Sequence, residues 1–441
     1  MNIGHILILV PKVSPRLKYV TRFIFEEVLG TDYTLSTEKD LFTSYQGPKL
    51  HYGQYPIGDE LFISCRQLLF ETGIKDQDIH FSEFKGVKVF FPTNRFSALP
   101  FDPFSAVFYM ISRYEEYLPA IRDRHDRFEA GESIAFQNGF LGKPVADIYS
   151  FWIKDLLSNR YPAIKWKENK FKLFSTIDID NAFAYKGKGI MRTGGAMLRS
   201  LFSGRFQEIF QRTKVLAGME QDPYDSFKLQ EIIEKKYGID VMYFFLLADY
   251  GPNDKNVSIY NNSFRKLIKS LADGHLVGIH PSYGSNFKKE KLSVEIERLS
   301  SLLHTDVLHS RQHFLKIRFP DTYKNLIDLN IENDYTMGFA SEPGFRAGTS
   351  RSFLFFDLDT EFETKLRIHP FQVMDSTLCL YQKIQPEDAV KRVKNIIDET
   401  KKVGGTFTML WHNESLSNMK PWVGWQNVYE EIIIEALKTD L

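Results

Sequence analysis

Two aspartates at the end of an apolar run are the residues of this sequence best suited to chemistry. Asp178 and Asp180 stand two positions apart, at and just beyond the apolar stretch 171–177. Side chains alternate along a strand, so both carboxylates are expected to point to the same side. Two like charges this close are costly unless a cation or a shared proton relieves them. The pair indicates a metal site or an acid–base centre, and a solvated strand end is the simpler alternative.

Three histidines and an arginine further along the chain also stand at predicted strands. His280 and His412 each end an apolar run, whereas Arg311 and His313 stand at the start of another. The carboxyl ends of parallel strands meet at one edge of an α/β sheet, where active-site groups collect. Together with the aspartate pair, these side chains predict a mixed nitrogen and oxygen site for a divalent metal. Taken singly, each could instead be a core histidine or an ion-pair partner.

The elements that position these residues alternate between strands and helices from about residue 170 onward. Apolar runs predict strands at 171–177, 241–247, 276–279, 313–317, 335–339 and 406–411. Stripes of helical spacing lie between them, at 264–271, 292–303 and 390–397, and a last one follows at 428–437. This alternation predicts parallel strands covered by helices, arranged as a barrel or as an open sheet.

The residues before about 165 predict a separate α/β unit. Segments 6–10 and 87–91 have the composition of strands, and Asp102 followed by proline predicts the start of a helix. The charged segment 122–127 is interpreted as a solvated ion-pair loop, in preference to a catalytic role for His125. No chemistry is assigned to this unit from its sequence.

Composition narrows the class of protein. The chain has 441 residues, is 43% hydrophobic and 15% aromatic, and carries a formal net charge of zero. These values predict a globular protein and provide no charge that would steer it to nucleic acid or to an anionic membrane. No apolar window reaches the length of a membrane span. The expectation is a soluble, cytoplasmic protein without a nucleic-acid partner.

The residues above resemble the motifs of the polysaccharide deacetylases, the NodB-homology carbohydrate esterases. Segment 176–180 is similar to the T-F-D-D motif of that family, 278–283 to H-S/T-x-x-H, 310–313 to its arginine motif, and 409–412 to L-x-H. The resemblance covers roughly residues 170 to 415. It implies an α/β fold in which a distorted (β/α) barrel of the polysaccharide deacetylase type, residues 166–441, follows a smaller α/β domain, residues 1–165.

The resemblance also implies roles for individual residues. Asp178 would be the catalytic base, oriented by Arg311, and His412 would be the general acid. Asp180 and His280 would bind a divalent metal, with zinc as the first choice. The implied reaction is metal-assisted hydrolysis of an acetyl group.

Two positions depart from the family pattern. Ile179 separates two carboxylates that are adjacent in the family, so the roles of the two aspartates could be exchanged. Gly284 stands where the family has its second metal-binding histidine. The nearest replacement by motif position is His313, which is therefore predicted as the third metal ligand. Without such a replacement the metal site would be lost.

Three further residues are predicted to bind substrate. Tyr283 and Trp411 are aromatic residues near the predicted site, where they could stack on sugar faces. Arg346 lies in the glycine-containing segment 344–350 and could hold an anionic or hydroxyl-rich sugar. The alternative for Arg346 is a turn in which it caps a helix or pairs with Asp357.

The predicted function is metal-dependent removal of an N- or O-acetyl group from a saccharide or glycolipid. The resemblance alone implies that this reaction belongs to bacterial polysaccharide or glycolipid synthesis. One alternative is a catalytically inactive carbohydrate-binding relative that has lost the metal site. Another is a glycosidase, which would need a second carboxylate facing Asp178; Glu342 and Glu414 are the candidates.

Overall fold

The computed structural model describes residues 5–438, and its N-terminal part contains a small parallel sheet with flanking helices. The strands are β1 (Ile6–Leu9), β2 (Tyr33–Ser36), β3 (Lys49–Gly53), β4 (Phe62–Ser64), β5 (Phe81–Phe84) and β6 (Val87–Phe90). The helices are α1 (Pro15–Arg22), α2 (Lys39–Ser44), α3 (Pro103–Ile111), α4 (Ile134–Gln137) and α5 (Val145–Arg160). The first four strands form one parallel sheet in the order β2-β1-β3-β4, and β5 pairs with β6 as an antiparallel hairpin.

The predicted start of helix α3 is confirmed. The Asp102 carboxylate accepts hydrogen bonds from the backbone N–H groups of Phe104 and Ser105, at 3.0 and 3.1 Å. These are donors that have no partner within the helix, so the aspartate stabilises its first turn.

A nine-stranded sheet is formed by strands between residues 172 and 412. Its strands are β7 (Lys172–Ile179), β8 (Asp240–Phe245), β9 (Leu276–Ile279), β10 (His309–Ser310), β11 (Asn333–Asp334), β12 (Phe353–Asp357), β13 (Phe362–Ile368), β14 (Val373–Met374) and β15 (Thr406–His412). The helices are α6 (Gly189–Phe202), α7 (Phe206–Leu216), α8 (Phe227–Tyr237), α9 (Asn262–Ala272), α10 (Lys289–Leu303), α11 (Asp321–Asp328), α12 (Pro386–Lys402) and α13 (Trp425–Leu437).

The strand order is β12-β13-β11-β10-β9-β8-β7-β15-β14, and every neighbouring pair is parallel except β12 with β13. The predicted α/β class with parallel strands is therefore confirmed. Within residues 5–438 the two end strands, β12 and β14, do not pair with each other. The segment between β13 and β14 nevertheless forms backbone hydrogen bonds with two separate parts of the chain. The Phe371 N–H donates to Met337 O at 3.1 Å, and the Gln372 N–H donates to Thr408 O, in β15, at 3.0 Å. The strand ladder is open, and the distorted barrel stays a prediction.

Two of the predicted strands are wrong. The segment predicted at 313–317 is a short turn, because Phe314 and Leu315 have φ angles of 62° and 53° that are incompatible with a strand. The segment predicted at 335–339 turns as well, since Gly338 donates its N–H to the carbonyl of Thr336 at 2.9 Å. The sheet strands at these places, β10 and β11, are two residues long and lie just before the predicted segments.

The N-terminal part and the nine-stranded sheet are packed against each other. One continuous cluster of buried apolar side chains extends from Ile6 to Ala436. Polar contacts reinforce this packing: Tyr19 donates its hydroxyl hydrogen to Leu354 O at 2.7 Å, and Arg22 pairs with Glu363 at 3.0 Å. The division of the chain at residue 165 stays a prediction.

None of the helices within residues 5–438 combines the length and the apolar character needed to cross a lipid bilayer.

Candidate metal centre and active site

A cavity of about 210 Å³ lies at the carboxyl ends of strands β7, β9 and β15. Five of the predicted site residues line it: Asp178, Asp180, His280, His313 and His412. Asp178 belongs to β7, and the register of β7 with β15 places His412 directly beside it. The ends of neighbouring strands thus bring together side chains that are more than 200 positions apart in the chain, as expected for a parallel sheet.

Asp180, His280 and His313 form a compact cluster of potential metal ligands. The Nε2 atom of His280 lies 3.1 Å from Asp180 Oδ1, and the Nε2 atom of His313 lies 3.3 Å from Asp180 Oδ2. One possible ligand atom from each residue lies within 4.8 Å of the others. Both histidines are buried, whereas the Asp180 side chain is 24% exposed.

The far side of each imidazole ring has its own partner. His280 Nδ1 lies 2.6 Å from the backbone carbonyl oxygen of Arg311, which can only accept a hydrogen bond. His313 Nδ1 lies 2.9 Å from Asp254 Oδ1. These partners place a hydrogen on each Nδ1 atom and turn each Nε2 atom towards Asp180, which is how metal-binding histidines are usually oriented.

The pKa shifts in the cluster show that positive charge beside the Asp180 carboxylate is favourable. Burial alone would raise the pKa of Asp180, but His313 and His280 beside it hold that pKa well below its usual range. Burial opposes charging of His313 as well, yet the carboxylates of Asp180 and Asp254 raise its pKa to about 9. Protons on the histidines and a metal cation would compete for the same place between these side chains.

The donor set fits a divalent metal. Asp180 Oδ1 is shielded from solvent, and within residues 5–438 it accepts no hydrogen bond of good geometry. One carboxylate and two imidazole nitrogens, with an open side towards a cavity, are the ligands of catalytic zinc sites in other proteins. His313 therefore lies where it could act as a third ligand beside Asp180 and His280.

Asp178 is held by a buried arginine. Arg311 Nη1 donates to Asp178 Oδ1 at 2.9 Å and to Thr176 Oγ1 at 2.8 Å, while its Nε donates to Tyr335 O at 3.0 Å. The other carboxylate oxygen, Oδ2, faces His280 Nε2 at 3.8 Å. Because the guanidinium is fixed by several acceptors, it keeps Asp178 in one orientation beside the ligand cluster.

His412 is held by a buried aspartate that the sequence analysis missed. His412 Nδ1 lies 2.8 Å from Asp375 Oδ1, and the His412 backbone N–H donates to Asp375 Oδ2 at 2.7 Å. The Nε2 atom is 4.0 Å from Asp180 Oδ2. Burial would lower the pKa of His412, but the charges of Asp375, Asp180 and Asp178 raise it well above its usual value.

Several other residues of the site were not predicted. Asp375 directly follows strand β14, so the strand-end rule could have found it. Asp254 lies in a loop without any spacing signal, and Arg127 comes from the N-terminal part.

Glu414, one of the two alternative carboxylates, lines the same cavity, and burial together with the charge of Asp180 raises its pKa to about 7.

Glu342, the other alternative carboxylate, lies elsewhere. It accepts hydrogen bonds from Gln382 at 2.7 Å and from Arg392 at 3.1 Å, and it does not line the cavity. Only Glu414 of these two is positioned to act with Asp178.

The three predicted substrate-binding residues are not among those that line the cavity. The Trp411 side chain is fully buried and packs against Tyr429. Tyr283 is half-buried and packs against Phe314, which does line the cavity. Arg346 is 2% exposed and pairs with Glu116 through Nε to Oε1 at 2.9 Å and Nη2 to Oε2 at 2.5 Å. Neither helix capping nor the alternative partner Asp357 accounts for it.

Substituting Arg346 is expected to reduce stability. The Arg346→Ala protein should lose about 3–5 kcal/mol of unfolding free energy, because it leaves a fully buried carboxylate, Glu116, without one of its two arginine partners. Denaturant unfolding would measure this loss. Glu231→Ala, which breaks the exposed pair with Lys235, is the control and should leave the unfolding free energy nearly unchanged. Unchanged stability with weaker saccharide binding would instead favour the substrate-binding prediction.

Comparisons with known proteins identify similarities to parts of the chain. Residues 6–162 match the model of a family of unknown function, DUF7033. No curated protein matches the chain.

Solved structures match part of the chain at low sequence identity. A putative polysaccharide deacetylase from Mycobacterium smegmatis is 13% identical, with 63% of this chain and 87% of that chain covered and a TM-score of 0.41. A polysaccharide deacetylase from Bacillus cereus is 12% identical, with coverage of 61% and 88% and a TM-score of 0.27. A pseudoenzyme of the CE4 family from Bacillus anthracis is 11% identical, with coverage of 60% and 63% and a TM-score of 0.27.

Proposed function

We propose that this protein is a metal-dependent hydrolase that removes an acetyl group from a saccharide or glycoconjugate. The observation that supports this proposal is the cluster of Asp180, His280 and His313 beside a buried Asp178–Arg311 pair and a buried His412–Asp375 pair. Three residues that could bind a metal thus share one cavity with a fixed carboxylate and a fixed imidazole. This combination is what hydrolysis of an amide or ester requires.

Asp180, His280 and His313 would hold the metal, with zinc as the first choice for this donor set. A divalent metal at this place supplies Lewis-acid polarisation of the acetyl carbonyl and lowers the pKa of water. The chain itself excludes bulk solvent there, because both histidines are buried.

Asp178 is proposed as the general base. Its Oδ1 atom is occupied by Arg311, which leaves Oδ2 to accept a proton from the water that attacks the acetyl carbon. As the bond from the acetyl carbon to the sugar nitrogen or oxygen breaks, the leaving atom needs a proton. His412 is proposed to donate it from Nε2, because Asp375 holds the opposite nitrogen, Nδ1. The proton taken by Asp178 and the one given by His412 balance, and acetate is the second product.

The size of the cavity favours a small reacting group. Its volume of about 210 Å³ is below the roughly 300 Å³ at which pockets for larger organic ligands begin. We propose that it accepts the acetyl arm and part of one sugar unit, while the remainder of the substrate stays outside. A role in bacterial polysaccharide or glycolipid synthesis, in the cytoplasm, is part of this proposal and rests on the motif resemblance.

Metal content and acetate release together test the proposal. The purified protein should bind close to one zinc ion per chain after incubation with zinc and removal of the excess, and elemental analysis would measure it. The His280→Ala protein should bind little zinc, whereas His80→Ala, which changes an exposed histidine that does not line the cavity, should bind as much as the parent. Acetate release should be measured with N- and O-acetylated oligosaccharides. A parent protein that binds no zinc would refute the metal-dependent reaction.

The two other functional hypotheses make different predictions. A carbohydrate-binding relative was favoured by the glycine at position 284, but His313 provides a third ligand atom beside Asp180 and His280. A glycosidase is favoured by one observation, the presence of Glu414 and Asp178 in the same cavity. Release of reducing sugar without acetate, abolished by Glu414→Gln, would support the glycosidase over the deacetylase.

A further inference from the structure

We infer that Arg127, from the N-terminal part of the chain, is a positioning residue of the metal site that acts through the backbone next to His313. This inference rests on the proposed function, since it concerns one of the proposed metal ligands. It assigns a role to a part of the chain for which the sequence indicated none.

The turn that follows His313 is conformationally unfavourable. Phe314 and Leu315 both have left-handed backbone conformations, with φ angles of 62° and 53°. Side chains other than glycine rarely adopt this conformation, and it persists only where the surroundings hold it. The direction of the His313 ring depends on this turn, because His313 directly precedes Phe314 in the chain.

Arg127 holds the turn directly. Its Nη1 donates to the carbonyl oxygen of Phe314 at 2.8 Å. Asp123 accepts from the Arg127 Nε at 2.7 Å, and the Tyr381 hydroxyl accepts from Nη2 at 3.0 Å. A planar guanidinium bound on three sides cannot rotate, so the hydrogen bond to Phe314 has a fixed direction.

The same loop, residues 122–128, contacts the turn a second time. The ring of His125 packs against the ring of Phe314, with 4.8 Å between their centroids. His125 Nδ1 also lies 3.4 Å from the Tyr283 hydroxyl. On the other side of the loop, Asp126 pairs with Arg318 at 3.4 Å. The segment thus contains ion pairs, as predicted, among them Arg127 with Asp123, and it also contacts the turn that follows His313.

Arg127 lines the cavity, but its geometry favours positioning over substrate binding. Each of its three nitrogen atoms already donates to an acceptor of the protein: Asp123, Phe314 and Tyr381. Its effect on the metal passes through the backbone of Phe314 to His313. Outer partners of this kind usually change metal affinity by about 10–100-fold when removed.

Zinc affinity of full-length variants tests the inference. The protein would be stripped with a chelator and titrated with zinc against a competing indicator. Arg127→Ala should bind zinc about 10–100-fold more weakly than the parent. Arg127→Lys keeps the charge but cannot donate in three fixed directions, so its affinity should fall between the two. Arg95→Ala changes an exposed arginine of the N-terminal part that does not line the cavity, and it should leave zinc affinity unchanged.

Two further measurements separate positioning from a general loss of structure. The visible absorption of the cobalt-loaded protein should differ between Arg127→Lys and the parent, because the orientation of one ligand changes. Thermal unfolding of the metal-free proteins should show whether each variant is folded. If Arg127→Ala is not folded, the zinc affinities of Arg127→Lys and Tyr381→Phe test the inference instead. Equal zinc affinity in the folded variants and the parent would overturn the inference alone. A parent that binds no zinc would overturn the proposed function together with it.

Discussion

Replacing His313 with alanine is expected to abolish tight zinc binding. The substitution leaves Asp180 and His280 as ligands, and catalytic zinc sites normally have three protein ligands. Zinc affinity should fall by more than the roughly 100-fold that loss of an outer partner can cause. Equilibrium dialysis followed by elemental analysis would measure it, and acetate release should disappear in parallel.

His80→Ala is the matched control, since its side chain is 70% exposed and lies in the N-terminal part. It should bind zinc as the parent does. If His313→Ala kept the zinc affinity of the parent, the ligand set would be wrong and another residue would have to complete the site. Loss of zinc in His313→Ala with retention in His280→Ala would assign the two histidines different importance.

Replacing Asp178 with asparagine is expected to reduce acetate release by about 10²–10⁴-fold, the usual contribution of a general base. Asparagine has nearly the same shape, but its amide cannot take a proton from water at neutral pH. Zinc should still bind, because Asp180, His280 and His313 are unchanged. Parallel assays of acetate release and zinc content on the same preparation would measure both effects.

The Asp178→Asn protein also loses the buried counter-charge of Arg311, so its unfolding should be compared with that of the parent. Asp328→Asn, an exposed aspartate paired with Lys289, serves as the control and should leave both readouts unchanged. Loss of zinc from Asp178→Asn with nearly full zinc in Asp180→Asn would mean that the two aspartates exchange roles. Activity above about one tenth of the parent would exclude Asp178 as the base.

The sequence by itself determined the features that depend on local pattern. Strands β7 and β15 follow from apolar runs of strand length, with Asp178 and His412 at or next to their carboxyl ends, and α3 begins where Asp102 predicts. Alternation of side chains along a strand predicted that Asp178 and Asp180 lie on one side, and both face His280. Neighbouring residues impose these features, so they can be inferred without knowing the packing.

Only the tertiary structure decided how distant segments complete the site. The motif position suggested His313 as a ligand, but the predicted strand at that place is a left-handed turn, and the N-terminal loop carrying Arg127 contacts it. Arg346 lies in a glycine-containing segment and was predicted to bind substrate, yet it pairs with Glu116 inside the protein. The physical reason is that ion pairs and strained turns are stabilised by partners hundreds of residues away, and local spacing contains no information about which partner folding brings close.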